Sequence, residues 1–154
     1  MRRVAGFLSK AEQQQLAALA SSSSSSFVPG RQNTGYEKLP LRDRVELEPL
    51  LRRARALLAI DDDNELWDAW LLRYPTGSGV PAHVDAADGD FAHVRVNAIV
   101  RGANSGGVFA IDGVVIDLDV GDGVVFRPDV DVHEVSVVGA GDRVVFSVGA
   151  WVKS

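Results

Sequence analysis

Histidine is scarce in this sequence, with three copies at His83, His93 and His133, and cysteine is absent. His83 and Asp85 form an H-x-D triplet, and residues i and i+2 of an extended strand point to the same face. Two imidazoles and one carboxylate on one face of a metal are the donor set of non-haem Fe(II) centres, which keep positions open for oxygen and a co-ligand. The sequence therefore predicts that His83, Asp85 and His133 converge on one metal ion.

Plainer interpretations of the same residues stay open on the sequence alone. Short motifs mislead easily: an H-x-D triplet also suits a surface loop, and His133 by itself suits a hydrogen-bonded core position. His93 shares its strand parity with Arg95 and Asn97 and has no carboxylate at ligand spacing. The pattern predicts a structural or supporting role for His93 rather than a place among the ligands.

Arg143 follows His133 by ten residues, after a glycine-rich turn that is predicted to bring its strand back beside the strand of His133. A guanidinium that faces the interior needs an anion, because a buried unpaired charge is costly. The forked arginine side chain suits a carboxylate ligand, and Ser147 on the same face adds a hydroxyl. The alternative is an ion pair at the rim with Asp129, Asp131 or Asp142.

Length and composition describe the chain that must position these residues. It has 154 residues, 46% hydrophobic and 24% charged, which is the balance of a folded globular domain. The net charge of −5 disfavours a nucleic-acid partner held by general electrostatics. No run reaches the roughly 18 apolar residues of a membrane-spanning helix, and the N-terminal apolar run is too short for a secretory signal. A cytoplasmic protein with a small substrate or a modest protein partner is expected.

The first 65 residues are predicted to form helices and loops. Ser9 and Glu12 have the spacing of a capping box, and the residues that follow predict a helix to position 20. The six serines of 21–26 predict a flexible loop, which is either a linker or a lid over a site. Residues 31–41 predict a loop with one short strand, and residues 45–58 predict a surface helix with one buried stripe.

From residue 66 onward, short valine-rich runs alternate with glycine and aspartate turns. Asp112-Gly113 between two such runs is a strong hairpin signal. The regular spacing predicts an all-β region, a sandwich or barrel formed by one continuous sheet system. The predicted strands are residues 66–74, 93–101, 108–111, 114–120, 124–127, 132–138 and 143–152.

Taken together, the motifs in residues 67–152 resemble the Fe(II)- and 2-oxoglutarate-dependent dioxygenase superfamily, specifically its prolyl-hydroxylase-like branch. The resemblance rests on the order and spacing of the motifs, which are more specific together than any one of them. In chain order they are Leu72-Arg73-Tyr74-Pro75-Thr76-Gly77, His83-Val84-Asp85, Gly106-Gly107-Val108-Phe109, Val125-Phe126-Arg127-Pro128-Asp129, His133-Glu134-Val135 and the run 143–151.

This resemblance implies a mainly β fold, a double-stranded β-helix (jelly roll) with supporting N-terminal α-helices. It implies one domain over residues 1–154, with residues 1–65 as support and residues 66–154 as the catalytic core. It implies Fe(II) held by His83, Asp85 and His133, with O2 and 2-oxoglutarate as cosubstrates. The far carboxylate of 2-oxoglutarate would then pair with Arg143 and accept a hydrogen bond from Tyr74.

Further positions take candidate roles from the same resemblance. Asn97 lies on the strand face that lines the cosubstrate pocket in relatives, and Ser147 shares the face of Arg143. Arg95, inward by the same parity, is a candidate for an acidic substrate group or for bracing the pocket. Independently of the resemblance, the polar segment Arg31-Gln32-Asn33-Thr34 and the serine run are candidates for the substrate rim, with Arg31 as the charged member. Arg101 stands where some relatives carry a second cosubstrate tyrosine.

The implied activity is hydroxylation of an unidentified substrate, with release of succinate and carbon dioxide. The substrate is a free amino acid, a small metabolite or a peptide side chain. Two alternatives are a non-catalytic jelly-roll binding module and a cupin-like metal protein. Asp85 counts against the second, because the commoner cupins carry H-x-H and a downstream glutamate.

Overall fold

The computed structural model describes residues 1–30, 33–86 and 89–154. Within these ranges it contains two α-helices, α1 (Lys10–Ser22) and α2 (Glu48–Leu57). The strands in the same ranges are β1 (Arg2–Val4), β2 (Val28–Pro29), β3 (Glu37–Pro40), β4 (Trp67–Tyr74), β5 (Val80–His83), β6 (Phe91–Arg101), β7 (Phe109–Ile111), β8 (Val114–Val115), β9 (Gly123–Phe126), β10 (His133–Val135) and β11 (Arg143–Lys153). The predicted mainly β class is confirmed.

The strands form two antiparallel sheets, so the prediction of one continuous sheet system is wrong. The large sheet has the order β1-β9-β6-β11-β4-β3-β2, and the small sheet has the order β5-β10-β7-β8. The glycine-rich turn after β10 carries the chain from the small sheet to the large one. Strand β11 consequently pairs with β4 and β6 and not with β10, which corrects the predicted neighbour of Arg143.

Strand β11 is central in the large sheet, and its alternation separates two apolar clusters. Side chains of successive residues in a strand point to opposite faces. Phe146 and Val148 belong to the cluster that also contains residues of α1 and α2, including Leu16 and Leu51. Val145 belongs to the other cluster, which is formed by residues of both sheets. The residues of the predicted metal site lie on this second side.

Helix α1 begins at the predicted capping box. The Ser9 hydroxyl accepts a hydrogen bond from the Glu12 amide at 3.1 Å, and the Glu12 carboxylate accepts one from the Ser9 amide at 2.9 Å. The helix runs through Ser22, and residues Ser24–Ser26 form a turn of 3-10 helix, so the predicted loop at 21–26 is wrong. Within the helix the Ser21 hydroxyl donates to the carbonyl of Ala17, one turn earlier.

Helix α2 has the predicted buried stripe, formed by Leu50, Leu51 and Ala54. Its predicted first turn, Val45–Leu47, is 3-10 helix. Neither α-helix in the described ranges has the length and apolar character that crossing a lipid bilayer requires.

The hairpin at Asp112-Gly113 is confirmed, since it joins β7 to β8 and both residues have positive φ, 51° and 75°. Other strand bounds differ from the prediction. The predicted strands 114–120 and 132–138 shrink to β8 and β10, and β1, β2 and β5 were not predicted. Each unpredicted strand has two to four residues, too few to show a two-residue period, so only its pairing partner identifies it as a strand.

Gly106 and Gly102, in the turn between β6 and β7, provide a matched test of how closely this turn packs against Val137. A Cβ on Gly106 would lie 2.0 Å from the Val137 carbonyl oxygen, and its φ is +67°, whereas a Cβ on Gly102 would meet open space. We expect Gly106→Ala to lower the free energy of unfolding by at least about 2 kcal/mol, because both the clash and the left-handed backbone are unfavourable. Gly102→Ala should leave it within about 0.5 kcal/mol. Urea unfolding of both variants measures the difference, and equal midpoints would contradict the close approach.

Candidate metal centre

The predicted ligands come from two paired strands and the loop beside them. His83 is the last residue of β5 and lies directly opposite His133, the first residue of β10. Their ring centroids are 4.3 Å apart. Asp85 lies two residues beyond the end of β5, and its amide donates to the Pro128 carbonyl at 2.7 Å. The H-x-D triplet therefore spans a strand end, and a backbone hydrogen bond to another segment positions the carboxylate.

The three side chains converge on one point. Oδ1 of Asp85 lies 3.5 Å from Nε2 of His83 and 3.9 Å from Nε2 of His133. One ligand atom from each residue lies within 4.8 Å of the others. Ligands at about 2.0–2.2 Å from a shared metal lie about 3–4 Å apart, so the widest pair needs only a small closure around an ion.

Both ligand imidazoles direct Nε2 toward the point where the three side chains converge. Nδ1 of His83 lies 2.8 Å from the Pro81 carbonyl, and Nδ1 of His133 lies 3.0 Å from the Asp131 carbonyl. A carbonyl only accepts hydrogen bonds, so each Nδ1 carries the proton and each Nε2 turns its lone pair toward the point of convergence. Metal-ligating histidines are oriented by this kind of contact. The donor set therefore fits a divalent transition metal such as Fe(II).

The environment also favours the protonation states that bind metals. Burial tends to raise the pKa of Asp85, but the close contact with His93 and the neighbouring His133 imidazole outweigh it, so that pKa lies below its ordinary value. Burial lowers the pKa of His133, against the opposing effect of the Asp131 carbonyl. An ionised carboxylate and a neutral imidazole are the forms that coordinate a metal.

A cavity of about 200 Å³ adjoins the three ligands. Tyr74, Asn97 and Ser147, which the resemblance placed near the cosubstrate, all line it. Asp68 and Trp70 line it too, although neither was predicted as a site residue. They lie on β4 at the same strand parity as Tyr74, so that parity was the signal that could have identified them.

Arg143 is buried, as predicted, and lies opposite Tyr74 in the pairing of β11 with β4. Its guanidinium lies 5.1 Å from the centroid of the Tyr74 ring. Burial lowers the pKa of Arg143 and raises the pKa of the Tyr74 phenol, while each group partly opposes the shift of the other. Arg143 does not line the 200 Å³ cavity; it lines a second cavity of about 210 Å³.

The predicted alternative of an ion pair for Arg143 at the rim is not observed. Among the described residues, no carboxylate lies within 4.0 Å of its guanidinium. Asp142 pairs with Arg101 at 2.8 Å, and Asp129 pairs with Arg127 at 2.7 Å. The Arg101 guanidinium is therefore held by Asp142.

Asn97 and Ser147 belong to a polar network in the cavity wall. The Ser147 hydroxyl donates to Oδ1 of Asn97 at 2.7 Å and accepts from Arg95 at 2.8 Å. Arg95 also donates to both carboxylate oxygens of Asp68, at 2.7 and 3.0 Å. The guanidinium of Arg95 is thus already paired, which supports bracing over binding of an acidic substrate group. Arg31, the other substrate candidate, lies outside the described residues.

His93 has the carboxylate partner that its sequence neighbours did not provide. Its Nδ1 lies 3.0 Å from Oδ2 of Asp85, and its ring stacks on Trp151 with centroids 4.5 Å apart. The predicted supporting role is compatible with this position, but the contact joins residues that only the tertiary structure brings together.

Removal of the anionic ligand tests the metal centre directly. We expect Asp85→Ala to lose Co(II) or Fe(II) binding almost completely, because Asp85 supplies the only negative charge among the three ligands. Asp90→Ala, in the same loop with an exposed side chain, should bind like the unmodified chain. Anaerobic titration calorimetry measures both affinities, and unchanged affinity in Asp85→Ala would refute the ligand assignment.

Comparison with known proteins gives likeness in structure but not in sequence. No family model matches the chain, and no curated protein matches it. A Pseudomonas putida prolyl-4-hydroxylase aligns over 99% of this chain and 92% of its own, with a TM-score of 0.74 and 19% identity. The viral collagen prolyl hydroxylase of Paramecium bursaria Chlorella virus-1, solved as a 2-oxoglutarate complex, aligns over 99% and 96%, with a TM-score of 0.72 and 14% identity.

A Trichoplax adhaerens prolyl hydroxylase, solved with a peptide fragment of the hypoxia inducible factor oxygen degradation domain, is also similar. It aligns over 97% of this chain and 82% of its own, with a TM-score of 0.75 and 18% identity. At sequence identities of 14–19%, structural similarity shows a shared fold and no more. The resemblance found in the motifs is thus confirmed at that level: this chain has the fold of the prolyl-hydroxylase-like Fe(II)- and 2-oxoglutarate-dependent oxygenases.

Proposed function

We propose that this chain is an Fe(II)- and 2-oxoglutarate-dependent oxygenase that hydroxylates a small molecule or a peptide side chain. The observation that carries the proposal is the convergence of His83, Asp85 and His133, with both Nδ1 atoms bonded to carbonyls. When bound, Fe(II) with 2-oxoglutarate and O2 supplies the oxidising chemistry, and succinate and carbon dioxide are the coproducts. The two sheets are then the walls of a double-stranded β-helix, supported by α1 and α2.

The chain's own residues have separate tasks in this proposal. His83, Asp85 and His133 hold the metal and leave its other positions toward the cavity. Arg143 and Tyr74 bind the far carboxylate of 2-oxoglutarate, because a buried guanidinium without an acidic neighbour requires an anion. The Tyr74 phenol is protonated at neutral pH and burial raises its pKa further, so it can donate to that carboxylate. Arg143 borders the second cavity, so its side chain must turn toward the 200 Å³ cavity to do this.

The cavity limits the class of substrate. Its volume of about 200 Å³ is below the roughly 300–1,000 Å³ of sites that enclose drug-sized ligands. After 2-oxoglutarate, such a space accommodates one side chain or a very small molecule. A peptide that presents one side chain fits this limit, as does a free amino acid. The net charge of −5 supports these substrates over a nucleic acid.

Turnover of 2-oxoglutarate tests the proposed function. We expect Fe(II), O2 and 2-oxoglutarate to give succinate with the unmodified chain, and a true substrate to raise the rate. Free amino acids and short proline-containing peptides form the first panel, and Asp85→Ala is the inactive control. Absence of enzyme-dependent succinate across the panel, with metal bound, would favour a non-catalytic metal-binding module.

Arg143 separates an oxygenase from a generic metal-binding protein. We expect Arg143→Ala to weaken 2-oxoglutarate binding at least about 10-fold, because losing a charge-assisted pair costs about 1.5–3 kcal/mol. Arg143→Lys should be milder, since it keeps the charge and loses the fork. The measurement is anaerobic titration of the Fe(II) form by charge-transfer absorbance.

Two comparisons keep this test interpretable. Tyr74→Phe removes only the hydroxyl and should also weaken 2-oxoglutarate binding, even if Arg143→Ala fails to fold. Arg101→Ala removes a guanidinium that pairs with Asp142 and should leave the affinity unchanged. Iron affinity should be similar in all of these variants. Unaltered 2-oxoglutarate affinity in both Arg143→Lys and Tyr74→Phe would refute the cosubstrate assignment.

A further inference from the structure

We infer that His93 is a positioning residue that determines which oxygen of Asp85 faces the metal, and that Arg95 sets the tautomer of His93 for this task. The inference rests on the proposed metal site and adds a line of close polar contacts, Asp68–Arg95–His93–Asp85, behind it. Neither His93 nor Arg95 is a ligand in this arrangement. Both act through Asp85.

The two oxygens of Asp85 have different neighbours. Oδ1 is the oxygen near both ligand histidines, at 3.5 Å from Nε2 of His83 and 3.9 Å from Nε2 of His133. Oδ2 lies 3.0 Å from Nδ1 of His93 on the opposite side. If His93 binds Oδ2 across this distance, Asp85 offers a single oxygen to an ion. A one-oxygen carboxylate leaves more of the coordination sphere open than a two-oxygen one.

The direction of the His93 hydrogen bond follows from its other nitrogen. Nε2 of His93 lies 3.4 Å from Nη2 of Arg95. Arginine only donates hydrogen bonds, so this Nε2 accepts, and the ring proton is on Nδ1. Nδ1 then carries a buried proton that has no aligned acceptor in the structure, and the acceptor within reach is Oδ2 of Asp85 at 3.0 Å, so a small rotation of either side chain completes the hydrogen bond. The opposite tautomer would set two donors against each other at Arg95 and two acceptors against each other at Asp85.

Arg95 is held rigidly enough to fix the tautomer of His93. Its guanidinium donates to both oxygens of Asp68 and to the Ser147 hydroxyl. It lies flat against β11 at Gly149, where an added Cβ would come 2.6 Å from its Cζ. Glycine at 149 therefore provides the space for the guanidinium. His93 is also confined, since it is 4% exposed and stacks on Trp151 with an interplanar angle of 17°.

A packing role for His93 predicts different results from a positioning role, and two substitutions separate them. His93→Phe keeps a flat ring against Trp151 and removes the donor. His93→Asn loses most of the ring and keeps an N–H near the position of Nδ1. If packing against Trp151 were the whole function, the Phe variant would behave normally and the Asn variant would be impaired.

The experiment is anaerobic titration of the full-length chain with Co(II), by calorimetry and by the visible Co(II) spectrum. We expect His93→Phe to weaken Co(II) binding about 10–100-fold, the usual effect of losing a partner of a metal ligand, and to alter the spectrum. His93→Asn should retain most of the affinity and the spectrum of the unmodified chain. Thermal unfolding without metal identifies any variant that fails to fold.

The proposed effect of Arg95 on the tautomer of His93 has its own test, a double-mutant cycle on Co(II) affinity. We expect Arg95→Met to weaken binding in the unmodified chain, because Nε2 of His93 loses the donor that fixes the tautomer. In the His93→Asn background there is no Nε2, so Arg95→Met should have little further effect. Such non-additivity would show that Arg95 affects Co(II) affinity through His93.

Each outcome is decisive for a stated claim. An unmodified chain that binds no Co(II) would overturn the proposed metal site and this inference with it. Normal binding by the chain and by folded His93→Phe would overturn the inference alone. Should His93→Phe not fold, poor Co(II) binding by a folded His93→Asn would overturn the positioning role. An equal effect of Arg95→Met in both backgrounds would overturn the tautomer step.

Discussion

The register between β5 and β10 is the constraint on which the candidate site depends. It places His83 directly opposite His133, and a shift of one residue would turn one imidazole to the other face of the small sheet. Backbone hydrogen bonds between the segment before β5 and the segment after β10 hold this register. The Val138 amide donates to the Ser78 carbonyl, and the Gly77 amide donates to the Val138 carbonyl. Close approach is possible because residue 79 is glycine; a Cβ there would lie 2.8 Å from the Val135 carbonyl oxygen.

The large sheet contributes the other half of the site through the alternation of β11. One set of its residues packs toward the helices and gives the strand its fixed place in the core. The alternate set points toward the other apolar cluster. It includes the charged Arg143, the polar Ser147 beside the 200 Å³ cavity, and Gly149, whose missing side chain leaves room for the Arg95 guanidinium. The same strand thus stabilises the fold with one face and shapes the site with the other. Substitutions on its two faces are expected to differ in kind for this reason.

Polar side chains in the cavity wall are arranged as connected pairs rather than isolated groups. Asp68, Arg95, Ser147 and Asn97 satisfy one another, and buried polar groups that are satisfied in this way make a site rigid. Arg143 is the exception, with an aromatic phenol beside it and no acidic partner among the described residues. That contrast is the physical basis for proposing that Arg143 binds a ligand, whereas Arg95 already pairs with groups of the protein itself.

The local features of this chain were predictable from its sequence, because they depend on neighbouring residues. The capping box at Ser9, the hairpin at Asp112 and the buried stripe of α2 each follow from spacing within a few positions. The scarcity of histidine and the H-x-D triplet also identified the three side chains that converge. Only the tertiary structure decided how distant segments pair. It separated the strands into two sheets, placed β11 away from β10, turned Arg95 toward Asp68 and brought His93 to Asp85. These contacts join residues on different strands, and the register that creates them is set by packing across the whole core, which no local pattern records.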